Sequence, residues 1–426
     1  MSYTTYRKFN ELWLDKIPEH WERRKIKYTF TERVEKGYRH EPLLVASQNM
    51  GVVPKDVYGN RTVEATKDLH NLKLVRVGDF VISLRSFQGG LEYAYYQGII
   101  SPAYTVMIPN NHVTGGYFRF LAKSEPFIKL LQMCVTGIRE GQSIDYNRLK
   151  NYHIPLPPRN EQEQIVRYLD WKMSQINKLI NAKRRQVELL REEIDILVSH
   201  AVAGVKEKMR LKTIVNDVRN WIERDDSILY SPIGVLNRGR GVFHKERLIG
   251  SDLGSSEFFK VEPNTLMISG QFAWEGAVAI TSNNEYGCIA SHRYYSIRGK
   301  EEKCNTEYLW ALFQTDFGKM LLNLCSHGAA GRNKPLNFTE LMNEYIPVPP
   351  IETQVAIANN VRLYMFIRTK TKVLEQLLNE YRARLISNVV TGKHDVRGIV
   401  VPKFEAMEDE MQNEIKFDEL DEAEVV

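Results

Sequence analysis

The stretch Ile154-Pro155-Leu156-Pro157-Pro158 decides the fold, because it returns near the end of the chain as Ile346-Pro347-Val348-Pro349-Pro350. A charged, glutamine-bearing segment follows each copy, Glu161–Gln164 in the first and Glu352–Gln354 in the second. Fixed-period self-similarity is the signature of a repeated architecture. The chain is therefore predicted to contain the same unit twice.

Each copy of this motif opens a long stretch without Pro or Gly, which ends at Gly204 or Gly392. Glycine just past a helix end is the usual left-handed cap, so both stretches are predicted to be helices. Counted from the Pro-Pro pairs, the second helix is four residues, or about one turn, shorter. Apolar residues recur at alternating spacings of three and four along both helices, which predicts an antiparallel coiled coil within the chain. The predicted seams comprise Ile176, Ile180, Val187, Leu190, Ile194, Leu197 and Ala201 in the first helix, and Val361, Met365, Leu374, Leu377, Tyr381 and Leu385 in the second.

The repeat continues upstream of the helices. Residues 25–27, 77–83, 98–101 and 134–137 correspond to residues 210–212, 263–269, 287–291 and 325–328. These segments combine short β-rich runs with Gly and Asn turns, and helical stretches are predicted at Gly116–Met133 and Thr306–Leu324. The fold class is predicted as α+β, with two mixed α/β domains of curved, mainly antiparallel sheet separated by the two long helices in a pseudo-twofold repeat. The predicted boundaries are 1–153 for the first domain, 154–208 for the first helical spacer, 209–345 for the second domain, 346–404 for the second spacer and 405–426 for a tail.

Charge is distributed unevenly along the chain. The net charge is +5, but residues 405–426 contain ten acidic residues and one lysine, which leaves 57 basic and 43 acidic residues in the body. A body of +14 favours a polyanionic partner, while the acidic tail is predicted to be disordered. No apolar run is long enough to span a membrane and the first residues do not resemble a secretory signal, so a cytoplasmic protein without a membrane partner is expected.

Taken together, these motifs resemble the specificity subunits of type I restriction-modification systems. Further marks of that family are Ile17-Pro18-Glu19-His20-Trp21 and a Gly-rich loop before Asn147-Arg148-Leu149 or Thr339-Glu340-Leu341. The second copy departs from the pattern, because Ile351-Glu352-Thr353-Gln354 replaces Arg159-Asn160-Glu161-Gln162. The resemblance implies double-stranded DNA as ligand, two target-recognition domains, and partners comprising two methyltransferase subunits and restriction or motor subunits. It also implies that S-adenosylmethionine, ATP and magnesium bind to those partners, and no cofactor is expected in this chain.

The sequence predicts a recognition role without catalysis. It contains neither a phosphate-binding Gly-x-x-x-x-Gly-Lys-Ser/Thr loop nor the Asn/Asp-Pro-Pro-Tyr/Phe motif of amino-methyltransferases. Two alternatives stay open. One is the recognition part of a fused restriction-methylation enzyme, which would carry those missing motifs. The other is a structural coiled-coil adaptor that reads no DNA sequence.

Four places in each repeat suit DNA contact, because base reading needs polar side chains on loops and phosphate binding needs Lys or Arg. They are 83–90 with 269–274, 137–143 with 328–334, 47–51 with 237–241, and 101–104 with 291–294. The candidate DNA-binding residues are Arg85, Gln88, Arg139, Gln142, Arg238, Arg240, Gln271, Arg293, Arg332, Asn333 and Lys334. At matched positions the first repeat has Arg85 and Gln88, whereas the second has Gln271 and Trp274. The expected target is therefore an asymmetric bipartite site, with two different half-sites.

Two further patterns have a simpler interpretation. Cys288, His292, Cys304, Cys325 and His327 include metal-ligating types, but small buried thiols explain the cysteines better, and no metal site is predicted. The run Lys183-Arg184-Arg185 is interpreted as a solvated helix face, with a methyltransferase-docking surface or a DNA-backbone patch as the alternatives.

Overall fold

The computed structural model describes residues 2–58, 69–137, 143–206, 208–328 and 334–404. Among these residues, 2–180 and 375–404 form one compact unit, and 181–374 form the other. We call them the first unit and the second unit. The acidic tail, residues 405–426, lies outside the described residues.

The strands of the first unit are short and their ladders are antiparallel. They are β1 (Tyr6–Glu11), β2 (Leu14–Pro18), β3 (Glu22–Lys25), β4 (Phe30–Arg33), β5 (Leu44–Ser47), β6 (Gly51–Pro54), β7 (Lys73–Val75), β8 (Phe80–Ile82), β9 (Glu92–Tyr93), β10 (Gly98–Ile100), β11 (Thr105–Pro109), β12 (Val135–Thr136), β13 (Ser143–Ile144) and β14 (His153–Leu156). Its helices are α1 (Lys55–Tyr58), α2 (Ser86–Gly89), α3 (Gly115–Ala122), α4 (Glu125–Met133) and α5 (Tyr146–Leu149), with the beginning of α6 (Arg159–Ala203).

The second unit is likewise built from short strands and short helices, with part of a long helix. Its strands are β15 (Lys208–Arg210), β16 (Val215–Asp217), β17 (Asn220–Ile222), β18 (Leu229–Tyr230), β19 (Ile233–Val235), β20 (Val242–His244), β21 (Leu248–Ile249), β22 (Phe258–Lys260), β23 (Leu266–Ser269), β24 (Val278–Ile280), β25 (Ile289–Ser291), β26 (Tyr294–Gly299) and β27 (Tyr345–Pro347). Its helices are α7 (Leu211–Ile214), α8 (Thr306–Gln314), α9 (Asp316–Leu324) and α10 (Phe338–Asn343), with most of α11 (Ile351–Val390).

The predicted repeat is confirmed by sheet topology. The four-stranded sheet of the first unit has the order β4-β11-β8-β9, and that of the second unit has the order β16-β26-β23-β24. In both units the strand before the long helix pairs with an early strand of the same unit, β14 with β3 and β27 with β15. The α+β fold class, with antiparallel ladders and two long helices, follows as predicted.

Each predicted helical stretch before the long helices is two helices rather than one. Gly116–Met133 breaks between α3 and α4, where Pro126 lies in the first turn of α4 and cannot continue a helix. Thr306–Leu324 breaks at Thr315, whose hydroxyl accepts a hydrogen bond from the Gly318 backbone amide and caps α9. The apolar period continues across both breaks, so the pattern of apolar residues predicts one helix where there are two.

The long helices contain 45 residues in α6 and 40 in α11, so the second is shorter, by five residues rather than the predicted four. Within the first unit they run antiparallel. Gln164 near the start of α6 donates to the Ile399 carbonyl beyond the end of α11 at 2.7 Å, whereas Asn177 accepts from Arg382, which lies earlier in α11, at 3.3 Å. No helix among the residues the structure covers is both long and apolar enough to cross a membrane.

The predicted seam of α11 is wrong at two positions. Leu377 is 56% exposed and Tyr381 is 50% exposed. The inward face instead contains buried Thr371 and half-buried Leu378 and Arg382. Polar residues occupy seam positions there, so a search for apolar residues alone shifted the seam by one residue.

The glutamine of the repeated motif ties each domain to its long helix. Gln162 is 1% exposed; its Nε2 donates to the carbonyls of His112 and Pro157 at 3.0 and 2.9 Å, and its Oε1 accepts from the Thr114 amide at 2.8 Å. Thr114 is in turn the N-cap of α3, since its hydroxyl accepts from the Tyr117 amide. A buried amide that uses donors and acceptor together fixes the helix start relative to the domain.

Gln354 repeats this arrangement in the second unit. Its Nε2 donates to the carbonyls of Lys303 and Pro349 at 3.2 and 2.8 Å, and its Oε1 accepts from the amide of Asn305, the N-cap of α8, at 2.8 Å. The motif departure noted at Glu352 therefore leaves the structural glutamine in place.

Each unit has a main apolar core and a smaller one beneath its hairpins. Trp21, Phe118 and Phe127 lie in the main core of the first unit, together with Val389 from α11. The main core of the second unit contains Trp310, Phe313 and Ile194 from α6. Each long helix therefore supplies core residues to both units.

Candidate nucleic-acid interface

A tight turn follows β8 in the first unit, which we call the first recognition turn (residues 83–90). The Ser83 amide donates to the Ser86 hydroxyl at 2.8 Å, and the Gly90 amide donates to the Ser86 carbonyl at 2.8 Å. Gly90 has φ of 88°, and a Cβ there would lie 2.2 Å from the Ala122 carbonyl oxygen, so only glycine fits. The turn leaves Arg85 and Gln88 exposed.

The second recognition turn (residues 269–276) follows β23 at the matching place. The Ser269 hydroxyl accepts from the amides of Gln271 and Phe272 at 3.3 and 3.2 Å, and the turn closes at Gly276, with φ of 74°. Gln271 is exposed and Trp274 is half-buried. Both turns contain one short helical turn and close at a glycine with positive φ, although their serine hydroxyls accept from different amides, and they present different side chains.

Two predicted contact segments, 237–241 and 291–294, bond to the second recognition turn, and so does Leu336, just beyond a third. The hairpin tip between β19 and β20, residues 237–241, joins it through Arg238 N–H to Glu275 O at 3.0 Å and Gly239 N–H to Gly276 O at 2.9 Å. From the other side, Gly270 donates to the Arg293 carbonyl at 2.7 Å and accepts from the Leu336 amide at 2.7 Å.

These contacts gather cationic side chains around one turn. Arg238 and Arg293 are exposed, and the Lys334 ammonium lies 5.1 Å from the centre of the Trp274 ring. The acidic side chain of the turn, Glu275, accepts from the Asn237 amide. A cluster of exposed cations and an exposed amide can neutralise phosphates and meet base edges.

The first recognition turn has a matching neighbour. The loop between β5 and β6, residues 47–51, approaches it through Gln48 Nε2, which donates to the Arg85 carbonyl at 3.3 Å. Lys123 secures that loop, with its ammonium 3.0 Å from the Gln48 carbonyl oxygen and 2.8 Å from both carboxylate oxygens of Glu92. Burial raises the pKa of the Glu92 carboxyl to about 7, against the opposing effect of Lys123.

The sequence-predicted residues thus fall into four groups. Arg85 and Gln88 lie on the first recognition turn, and Gln271, Arg238, Arg293 and Lys334 lie on or beside the second. Arg240 is half-buried, and its Nε donates to the Asn237 carbonyl of its own loop at 3.2 Å. Arg139, Gln142, Arg332 and Asn333 lie outside the described residues.

Sequence reasoning missed three side chains that support the second turn. Arg191 from α6 and Arg368 from α11 donate to backbone carbonyls of residues 238–240, and Gln314 at the end of α8 accepts from Arg191 at 3.0 Å. Carbonyl acceptors carry no residue-type signal. The repeat alignment does offer one clue, since Gln314 and Lys123 each lie nine residues after an N-cap, Asn305 or Thr114.

The four cysteines are free and buried, as predicted. Burial raises the pKa of the Cys134, Cys304 and Cys325 thiols, to about 11, 12 and 11 respectively, so they are held as neutral thiols. Within the described part of the chain, no group of three or more His, Cys, Asp or Glu side chains could hold a metal ion.

Comparison with known proteins supports the fold of two repeated units. The putative type I restriction enzyme MjaX specificity subunit of Methanocaldococcus jannaschii is 23% identical, over 91% of this chain and 97% of its own length. The type I restriction enzyme MjaVIII specificity subunit of the same organism is also 23% identical, over 76% of this chain and 81% of its own. A chain from a solved structure concerning complex assembly and conformational transition of the type I R-M system has the same fold, with a TM-score of 0.56 at 13% identity, over 89% of this chain and 99% of that one.

The family model for the type I restriction modification DNA specificity domain matches residues 18–189 and again residues 225–380. The two matches correspond to the two repeats and cover most of the chain. The protein therefore belongs to the family of type I restriction-modification DNA specificity subunits.

Proposed function

We propose that this specificity subunit reads an asymmetric DNA site in two halves, one at each recognition turn, and performs no chemistry itself. The observation that carries the proposal is the pair of recognition turns, which follow equivalent strands and close at a positive-φ glycine but present Arg85 and Gln88 in one unit and Gln271 in the other. Arginine pairs well with guanine edges and glutamine with adenine edges in the major groove. Different readers at equivalent positions predict different half-sites.

The surrounding cations supply binding without sequence preference. Lys334 is close to the second turn, and Arg238 and Arg293 are exposed beside it. Such side chains neutralise phosphates and release counterions, which makes binding strong at low salt and weaker at high salt. In this proposal the recognition domains are residues 1–153 and 209–345, and the spacers 154–208 and 346–404 set the distance between the half-sites.

The long helices also offer a surface for partner subunits. Beyond its inward seam, α11 exposes a second apolar series at Leu363, Phe366, Val373, Leu377 and Tyr381, all between 48% and 57% exposed. Their spacings of three, seven, four and four keep them on one face of the helix. An exposed apolar helical stripe of this kind favours docking of another helix.

We assign this stripe to the methyltransferase subunits, of which the repeat would accommodate two. These subunits bring S-adenosylmethionine and adenine methylation, and restriction or motor subunits bring ATP, magnesium and cleavage. A coiled-coil adaptor without sequence reading would need the stripe but not the polar and cationic side chains gathered at the turns, which favours the DNA-reading role.

The proposal is tested by footprinting the full chain, assembled with its methyltransferase subunits, on random and genomic DNA. A footprint in two blocks separated by unprotected bases supports it. Replacing residues 20–150 with the corresponding domain of another family member should then change one block only. Absence of sequence preference, or a change in both blocks, would contradict it.

A further inference from the structure

The hairpin tip at residues 237–241 is held by the two long helices. Arg191 of α6 donates to the Arg238 carbonyl at 3.2 Å, and Arg368 of α11 donates to the Gly239 carbonyl at 3.3 Å and also to the Arg240 carbonyl. Three successive carbonyls of the tip therefore accept hydrogen bonds from guanidinium groups. Charged donors make such bonds about twice as strong as neutral ones.

The tip has a backbone that needs this support. Arg238, Gly239 and Gly241 have φ of 57°, 65° and 98°. A left-handed conformation is uncommon for a residue with a side chain and persists only where its surroundings impose it. The opposite face of the tip is already bonded to the second recognition turn, at Glu275 and Gly276. The arginines thus fix the tip from behind while it lies against the turn.

Gln314 completes the contact. It is 2% exposed, and a Cβ on Gly239 would lie 2.2 Å from its Oε1 atom. That Oε1 accepts from Arg191 at 3.0 Å, while the buried Nε2 has no hydrogen-bond partner among the described residues. An unsatisfied buried donor is costly and is tolerated where close packing serves another purpose.

The first unit holds its equivalent loop differently. Lys123, at the position matching Gln314, donates to the Gln48 carbonyl at 3.0 Å. Lys123 belongs to the domain itself, whereas the tip at residues 237–241 is held by arginines of both long helices. The matched positions Lys123 and Gln314 therefore support their loops in different ways.

We propose that Arg191 and Arg368 are positioning residues for DNA reading by the second unit, and that they couple its half-site to the long helices. This inference rests on the proposed function. In it, Arg238 and Gln271 meet the DNA, whereas the two arginines act through the backbone that carries Arg238. Loss of either arginine makes the tip more mobile and lowers the base preference in the half-site that the second unit contacts.

The test uses the full chain assembled with its methyltransferase subunits and a random duplex library, from which bound sequences are selected and read. The variants are Arg191→Met and Arg368→Met, which keep the aliphatic length and remove the donors. The matched control is Arg362→Met, because Arg362 also lies on α11 but pairs with Glu307 at 2.6 Å, away from the tip. We expect about a tenfold loss of base preference in one half-site for both variants, an unchanged second half-site, and no change for the control.

A second pair of variants keeps the test independent of folding defects. Gly239→Ala displaces the tip without changing either arginine, and should lower the base preference in the same half-site. Arg368→Lys retains a positively charged donor and should recover part of the preference. Unchanged preference in both half-sites, or equal loss in both, would overturn the inference. A wild-type complex with no sequence preference would instead overturn the proposed function, and that result is seen before any variant is made.

Discussion

Gln162 and Gln354 are related by the repeat and form the same three hydrogen bonds, two to carbonyls and one from the N-cap amide of a domain helix, α3 or α8. This equivalence explains why a glutamine follows each Pro-Pro pair by four residues. It also makes each side chain a local determinant of stability.

Gln162→Leu should lower the free energy of unfolding by about 3 kcal/mol, because it leaves buried amide and carbonyl groups without partners. Gln354→Leu should do the same in the second unit. Urea unfolding followed by tryptophan fluorescence measures both. Gln175→Leu and Gln376→Leu, at exposed positions of the same helices, serve as controls and should leave the midpoint nearly unchanged. Equal midpoints for all four variants would contradict the assigned role.

Glu92 should make stability depend on pH. Its pKa in the folded chain is raised from 4.5 to about 7, so the favourable contribution is complete below about pH 4.5 and is lost as the pH rises through 7. Relative to Glu92→Gln, the wild type should therefore lose up to about 3 kcal/mol between pH 4.5 and 8. Unfolding midpoints measured at several pH values give this difference.

Glu125→Gln is the control for the pH experiment. Lys129 lowers the pKa of the Glu125 carboxyl, so its contribution is lost only as the pH falls below the ordinary range of a glutamate. The difference between wild type and this variant should stay flat from pH 5 to 8. A flat curve for Glu92→Gln as well would show that Glu92 does not titrate in this range.

Arg85→Ala and Gln271→Ala should each relax base preference in a different half-site. A well-placed base contact contributes about 1–3 kcal/mol of discrimination, so the preference at one or two base pairs should fall by about tenfold or more. Mapping methylated adenines in cells carrying each variant reports this directly. If both variants relaxed the same half-site, the assignment of one turn to each half would be wrong.

Lys334→Gln should weaken binding to all sequences alike. A lysine that neutralises one phosphate contributes about 0.9 to the slope of log affinity against log salt, so the slope should become shallower by about one contact. Titrations at several salt concentrations measure it, with Lys319→Gln, an exposed lysine on α9, as control. A change of base preference without a change of slope would instead indicate base reading by Lys334.

Phe366→Glu should prevent assembly with the methyltransferase subunits while leaving the fold intact, because Phe366 is 57% exposed and lies on the outer stripe of α11. Size-exclusion chromatography of mixed subunits measures assembly, and circular dichroism checks the helices. Asn379→Glu adds the same charge at an exposed position two residues from both Leu377 and Tyr381, on the other side of α11, and should assemble normally. Normal assembly of Phe366→Glu would place the partner elsewhere.

Much of the fold could be predicted because the two copies of the repeat give two independent sequences for one backbone. Ile26 and Leu211, aligned from sequence alone, are both fully buried at the start of their units, and Ser83 and Ser269 both begin a recognition turn. Aligned positions with the same chemistry in both copies predict the same backbone.

The predictions are wrong or incomplete where polar residues occupy packed positions that a search for apolar residues does not detect. The seam of α11 was misplaced at Leu377 and Tyr381 because Thr371 and Arg382 face inward. Arg191 and Arg368 could not be predicted because their acceptors are backbone carbonyls, which every residue type has. The depth of Arg240 likewise depends on how the hairpin tip folds, and residue type does not reveal it.

The sharing of helices between units has a consequence for synthesis on the ribosome. Residues 181–374 are contiguous, so the second unit can close its core as soon as they have emerged. The first unit needs Leu385, Val389 and Val390, which emerge more than two hundred residues after the start of α6. The domain made first is therefore completed last, and until then its apolar surface depends on protection from aggregation.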